Sequence, residues 1–282
     1  MGLRFNDHLI PLEAGQAVDR GWTAATGGRP VAVTWHWSAT KNLAHCRRLL
    51  GGENAERKGI ASAHFAVGRS RAEGIDRYVT LDNRSWHAGK NQTLRWDGQP
   101  FTGPDDKGAR TSIGIETIDA GYAREGFPAG ADWIAAHSPD GRRPLLVEPW
   151  SDEQVEMMIE LGREIVHRFP HIGPRHHHGH HDICPDYKLD VTGFPFARVL
   201  RGIYGDPEIP DVWTPFWSNR GRQRALAELG YGDHLPKAGG RWGAKSDAAL
   251  RRFQRDHGRV PDGRWTVFVS WKAYELLAAP AL

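Results

Sequence analysis

The stretch RPVAVTWHWSAT, residues 29–40, sets the reading of the fold. Val31, Ala32, Val33, Trp35 and Trp37 form a short, nearly continuous apolar run entered through Pro30. Such a run, rich in β-branched and aromatic residues, reads as a buried strand, here ending at His36. Just downstream, NLAHCRRLLGG (42–52) reads as a helix closed by glycines. IASAHFAVGRS (60–70) and GIDRYVTLD (74–82) read as a pair of strands, and TSIGIETID (111–119) as a short central strand. Residues 90–110 and 121–149, rich in Gly, Pro and Asp, read as long surface loops, a frequent seat of function. SDEQVEMMIELGREIVHRFP (151–170) is the clearest helix. Ser151 and Gln154 spell a capping box, and Val155, Met158, Ile159, Ile165, Val166 and Phe169 keep one apolar face. RHHHGHHDI (175–183) reads as a further strand. Strands alternating with helices, with one hairpin among them, predict an α/β fold: a mixed central β-sheet flanked by helices.

Composition shifts after Phe196. YGDPEIPDVWTPFWSNR (204–220) holds three prolines and two tryptophans and reads as a linker. GRQRALAELGY, SDAALRRFQRDHG and TVFVSWKAYELL follow in a helix-turn-helix-turn-helix pattern, a small all-α three-helix domain. The expected division is a large domain over 1–203, a linker over 204–218 and a small domain over 219–282. It implies that residues 1–205 fold without the rest. The 282 residues suffice for both domains.

Charge sets further bounds. Thirty-seven basic against 34 acidic residues leave a formal net charge of +3, too slight a basic balance to predict nucleic acid as a partner. Twelve tryptophans can fill a core or stack on sugar rings, and the count alone decides neither. Two cysteines, Cys46 and Cys184, make no disulfide framework and are expected to be reduced. No stretch approaches 18 apolar residues, so no membrane insertion is expected. The opening MGLRFNDHLIPLEAG lacks a basic start followed by an apolar run. The expectation is a chain made as a soluble cytoplasmic protein, acting elsewhere only after release or delivery.

PRHHHGHHDICPDYKLD (174–190) packs five histidines, a cysteine and a lysine among acidic residues. A catalytic zinc takes three protein ligands and keeps a position open, and histidine and carboxylate are suitable donors. On an extended strand His176, His178 and His180 face one way, and His177 and His181 the other. Only a subset can therefore reach one metal. Cys184 is a rival ligand by type, since thiolate suits zinc.

VAVTWHWSAT, IASAHFAVG, SWHAGK, TSIGIET and GHHDICPDYKLD occur in the order and spelling of the zinc-dependent N-acetylmuramoyl-L-alanine amidases. The chain resembles that family over about residues 28–200. The resemblance implies Zn2+ held by His36, His180 and Asp190, with Glu116 as general base and Lys188 stabilising the oxyanion. It leaves Cys184 off the pattern. His64, Trp86 and His87 fall near the family's cleft. His64 and His87 are either substrate contacts or supports behind the ligands, and His64 can equally be a satisfied interior histidine. Read alone, Glu116 is either an ordinary strand carboxylate or a group held for chemistry, and its buried setting demands a partner. The chain departs from the pattern in three places. DVTGFPF follows Asp190 where the family has Pro-Gly, residues 90–110 are longer, and Ala63 stands where some members place a tyrosine.

The last helices resemble the three-helix peptidoglycan-binding domain through LAELGY, AALRRFQRDHG and PDGRWT. A helical dimerisation or capping domain is the alternative. Together the two resemblances imply a peptidoglycan hydrolase that cuts the amide between N-acetylmuramic acid and L-alanine. They imply peptidoglycan as the partner and no obligate protein partner. A lytic, endolysin-like enzyme tethered to the wall, a cytoplasmic muropeptide-recycling amidase and a non-catalytic recognition module are the three readings carried forward.

Overall fold

The computed structural model describes residues 3–13, 17–51, 61–88, 108–184, 187–233, 235 and 239–279. The chain opens with β1 (Phe5–Asp7) and β2 (Val18–Asp19), then β3 (Ala32–Trp37), α1 (Leu43–Leu50), β4 (Phe65–Val67), β5 (Ile75–Arg77) and β6 (Arg84–Ser85). One helical turn, α2 (Gly108–Thr111), runs into β7 (Ser112–Thr117). The hairpin β8 (Ile134–His137) and β9 (Pro144–Val147) precedes α3 (Asp152–Arg168). β10 (His177–Gly179), α4 (His180–Ile183) and α5 (Phe196–Tyr204) follow. α6 (Asn219–Leu226), α7 (Ala244–Asp256) and α8 (Val267–Ala278) close the chain.

Every residue of β3 and β7 is buried, as expected of central strands covered on both faces. They lie side by side in a six-stranded sheet of order β1-β5-β4-β7-β3-β10. All neighbours are parallel except β4 and β5. Alternation divides the sheet. Val33, Trp35, Ile113 and Ile115 join Val155, Met158, Leu161 and Phe194 in the main core, under α3 and α5. Thr34, His36, Ser112, Gly114 and Glu116 point to the opposite face, where the polar residues gather. α3 crosses α5 closely: a Cβ on Gly162 would meet Ile203 Cδ1 at 2.3 Å. Among the described residues no helix is long and apolar enough to cross a membrane.

The mixed sheet, its hairpin and the three C-terminal helices match the expected architecture, but four local readings need correction. The capping box of α3 is half made. Ser151 Oγ accepts from Gln154 N–H at 3.2 Å, whereas the Gln154 side chain turns inward to donate to Val67 and Ile118 carbonyls. Residues 121–149 are not all loop, because Leu145 and Val147 alternate with exposed residues and pair β9 with β8. The strand read over 175–183 is only three residues long, and from His180 the chain turns helical. The segment 204–218 is no free linker. Ile209, Val212 and Trp213 are buried in the main core, and Trp213 stacks on Phe196 at 5.0 Å. Prolines set its turns, but the aromatic rings gain more by burial than by solvation. Residues 89–107, most of the other expected loop, lie outside the described residues.

Candidate metal centre

His36 sits near the end of β3, and β10 runs parallel beside it, with His178 level with Thr34 and Gly179 level with Trp35. The next residue, His180, therefore comes level with His36 and on the same face. The loop after α4 returns to the same point, held by His181 N–H donating to the Asp190 carbonyl at 2.5 Å. His36 Nδ1, His180 Nδ1 and Asp190 Oδ2 are each 3.0 Å from the other two. All three side chains are buried. A tetrahedral zinc with bonds of about 2.0–2.1 Å sets its ligand atoms about 3.3 Å apart. Two imidazole nitrogens and a carboxylate oxygen converging on one point are a fitting donor set, because a cation satisfies three lone pairs at once. Among the described residues, this is the group of His, Cys, Asp or Glu side chains that can share an ion. Burial, then the neighbouring His180, pushes His36 down to about 4, so it is neutral at neutral pH. Burial opposes the Asp190 charge, but His180 and His36 outweigh it and hold the carboxyl well below the usual range. Both residues thus stand in the protonation state a metal needs.

Glu116 on β7 is level with His36 and shares its face. It is 8% exposed, and its buried Oε2 makes no hydrogen bond. Burial, then the Asp190 charge, raises its pKa well above the ordinary value, against the pull of Lys188. Such a carboxylate holds a proton more readily than an exposed one does. The half-exposed Lys188 also acts electrostatically on His36 and packs its Nζ 5.6 Å from the Tyr187 ring centre.

The other histidines of the run are engaged elsewhere. His176 Nδ1 accepts from Gly173 N–H. His177 accepts from Trp35 Nε1–H and reaches the Tyr204 hydroxyl. His178 Nε2 lies 2.7 Å from Thr34 Oγ1, and His181 Nε2 lies 3.3 Å from Asp182. Cys184 faces the Tyr187 hydroxyl and is not in the ligand group. Neither cysteine forms a disulfide.

Of the three residues read as substrate contacts, two are interior. His64 is fully buried; its Nε2 meets the Asn83 carbonyl, and its Nδ1 meets Ser85 Oγ and Gly114 N–H. No ring nitrogen is left for substrate. His87 is 6% exposed and lies behind His36, with its Nδ1 3.0 Å from His36 Nε2. Trp86 is half-buried. Sequence reasoning passed over Gly114. A Cβ there would sit 2.3 Å from His87 Cγ, and the signal was a glycine inside a β-branched strand, which marks close approach.

Residues 26–191, more than half the chain, match the family model described as N-acetylmuramoyl-L-alanine amidase. The chain belongs to the N-acetylmuramoyl-L-alanine amidase family. Residues 222–267 match a putative peptidoglycan binding domain. This amidase is therefore an amide hydrolase of a zinc-enzyme family, and peptidoglycan is its partner. It is similar in structure to AmpDh3 from Pseudomonas aeruginosa, with a TM-score of 0.46, 20% identity, and coverage of 87% of this chain and 90% of that one. It is also similar to E. coli AmiD, solved with anhydro-N-acetylmuramic acid-L-Ala-D-γ-Glu-L-Lys (TM-score 0.49, 22% identity, 88% and 90% coverage). A mutant endolysin from Bacillus subtilis is similar as well (TM-score 0.44, 18% identity, 71% and 99% coverage). No curated protein matches the amidase.

Proposed function

We propose that the amidase cleaves its amide at a zinc held by His36, His180 and Asp190, with Glu116 and Lys188 completing the site. The observation that carries this reading is the triangle of ligand atoms at 3.0 Å, with the Glu116 carboxylate on the adjoining strand. Zinc supplies Lewis-acid polarisation and acidification of water when bound. Glu116 takes the proton of the attacking water and returns it to the departing alanine nitrogen, a task suited to its raised pKa. Lys188 places a cation at the half-exposed side, where charge develops on the carbonyl oxygen. Trp86, half-buried beside His87, is the remaining proposed substrate contact.

The role favoured is lytic. Residues 1–203 carry the chemistry, 219–282 hold the wall, and attachment raises the effective concentration of an insoluble substrate. Soluble muropeptides gain nothing from it. Digestion of purified wall with mass spectrometry of the products tests the activity. Stem peptides with free amino-terminal alanine are expected. Chelation should abolish digestion and added zinc restore it, whereas full activity in protein shown metal-free by elemental analysis overturns the assignment.

A further inference from the structure

We infer that His87 is a positioning residue that locks His36 in the one tautomer able to bind metal. Gly114, on this reading, is glycine so that the His87 ring can lie against the sheet. The inference rests on the zinc site proposed above.

The argument starts at a backbone carbonyl. The Ser112 oxygen can only accept, and His87 Nε2 lies 3.0 Å from it, so that nitrogen carries a hydrogen. A neutral imidazole has one N–H, which leaves His87 Nδ1 with a bare lone pair. That lone pair faces His36 Nε2 at 3.0 Å. Two bare nitrogens at this distance repel, which favours the hydrogen on His36 Nε2 over the competing placement on Nδ1 against the Asp190 carboxylate, also 3.0 Å away. His36 Nδ1 is then bare, and it is the atom facing His180 and Asp190. The peptide carbonyl thus biases, through two rings, which His36 nitrogen is free for a metal.

Packing holds the relay in place. The two rings meet edge to face, with centres 5.2 Å apart at 81°. His87 Cγ lies 2.3 Å and its Cβ 2.6 Å from where a Gly114 side chain would begin, so any other residue moves the ring. On its far side, Ser112 Oγ is 2.7 Å from Thr34 Oγ1, which is 2.7 Å from His178 Nε2. One of the five histidines of the run therefore braces the strand pair under the site instead of entering it.

The test uses the full chain labelled with ¹⁵N-histidine. In metal-free parent protein, long-range ¹H–¹⁵N correlation should show His36 protonated at Nε2. His87→Phe keeps a ring but neither accepts nor donates. It should mix the His36 tautomers and weaken zinc binding, read by chelator competition, about 10–100-fold. His87→Gln carries an acceptor oxygen and a donor nitrogen on one planar amide and should recover most of both. Gly114→Ala deletes no hydrogen-bonding group, yet it should weaken zinc in the same sense by displacing the ring. Parent His36 protonated at Nδ1 overturns the inference, and so does His87→Phe with unchanged tautomer and affinity. Equal loss in the Phe and Gln variants with an unchanged tautomer reduces His87 to packing and also overturns it. A parent chain that binds no zinc refutes the metal site itself, while the tautomer measurement still decides the relay.

Discussion

Glu116 is a carboxylate with one oxygen buried and unbonded, an arrangement that costs stability unless chemistry uses it. Glu116→Gln keeps the shape and removes the base. Zinc should stay bound while turnover falls about 10²-fold or more, measured on a soluble muropeptide with elemental analysis alongside. The histidine run gives a second prediction. His180→Ala should lose stoichiometric zinc, whereas His176→Ala should keep it, because His176 Nδ1 is engaged at Gly173 and lies outside the ligand group. Retained zinc in His180→Ala would place the ligand elsewhere. The residue types needed for this chemistry were legible in the sequence. Their partners were not, because a buried histidine that coordinates and one that braces a strand carry the same letter.

Two contacts between elements give opposite tests. Gly162 lies where α3 meets Ile203 of α5. Alanine there gains about 1 kcal/mol of helix propensity, but overpacking costs about 1–3 kcal/mol. Gly162→Ala should therefore be destabilising, seen as a lower urea midpoint, and a higher midpoint would show that the helices can part freely. Glu148, just after β9, accepts two bonds from Arg69, just after β4, each at 2.8 Å. Burial opposes its charge, but Arg69 and the Ala120 amide outweigh this and lower the pKa. A depressed folded pKa adds stability above the unfolded value of about 4.3, and that stability is lost as pH falls through the folded value. The gap in stability between parent and Glu148→Gln should accordingly be full at pH 7 and close below about pH 4. Helix α3 was legible from its period. The inward turn of Gln154 was not, since it answers carbonyls supplied by distant strands.

Across the whole molecule, the C-terminal helices are joined to the catalytic half. Asp182, on α4, accepts from Gly179 N–H at 2.7 Å and from Val267 N–H, the first residue of α8, at 2.6 Å. Thr266, at the cap position, makes no side-chain capping bond, so α8 is capped from across the interface. Val267 and Trp271 share the main core with Phe196 and Trp213. Arg222 donates to the His137 and Ser138 carbonyls of the β8–β9 hairpin. Truncation after residue 205 strips all of this. The remaining piece should melt well below the full chain and lose activity on soluble muropeptides, although every proposed site residue is present. Asp182→Ala, which orphans two buried amides, should cost about 2–3 kcal/mol by denaturant titration. An unchanged truncation product would restore the independent tether read from the prolines.

The sequence by itself determined the α/β class, the strand that ends near His36 and the donor types and order of the proposed metal site. These depend on local period and on motif spelling, which a linear chain displays. Tertiary structure decided the meeting itself: β10 lies beside β3 in the register that sets His178 level with Thr34 and so brings His180 to His36. It also decided that His87 is buried against His36, and that Ile209, Val212 and Trp213 are packed into the main core. Each is a question of which distant segment lies alongside. Periodicity reports that a side chain is buried, and only the assembled sheet and its neighbours supply the group it is buried against.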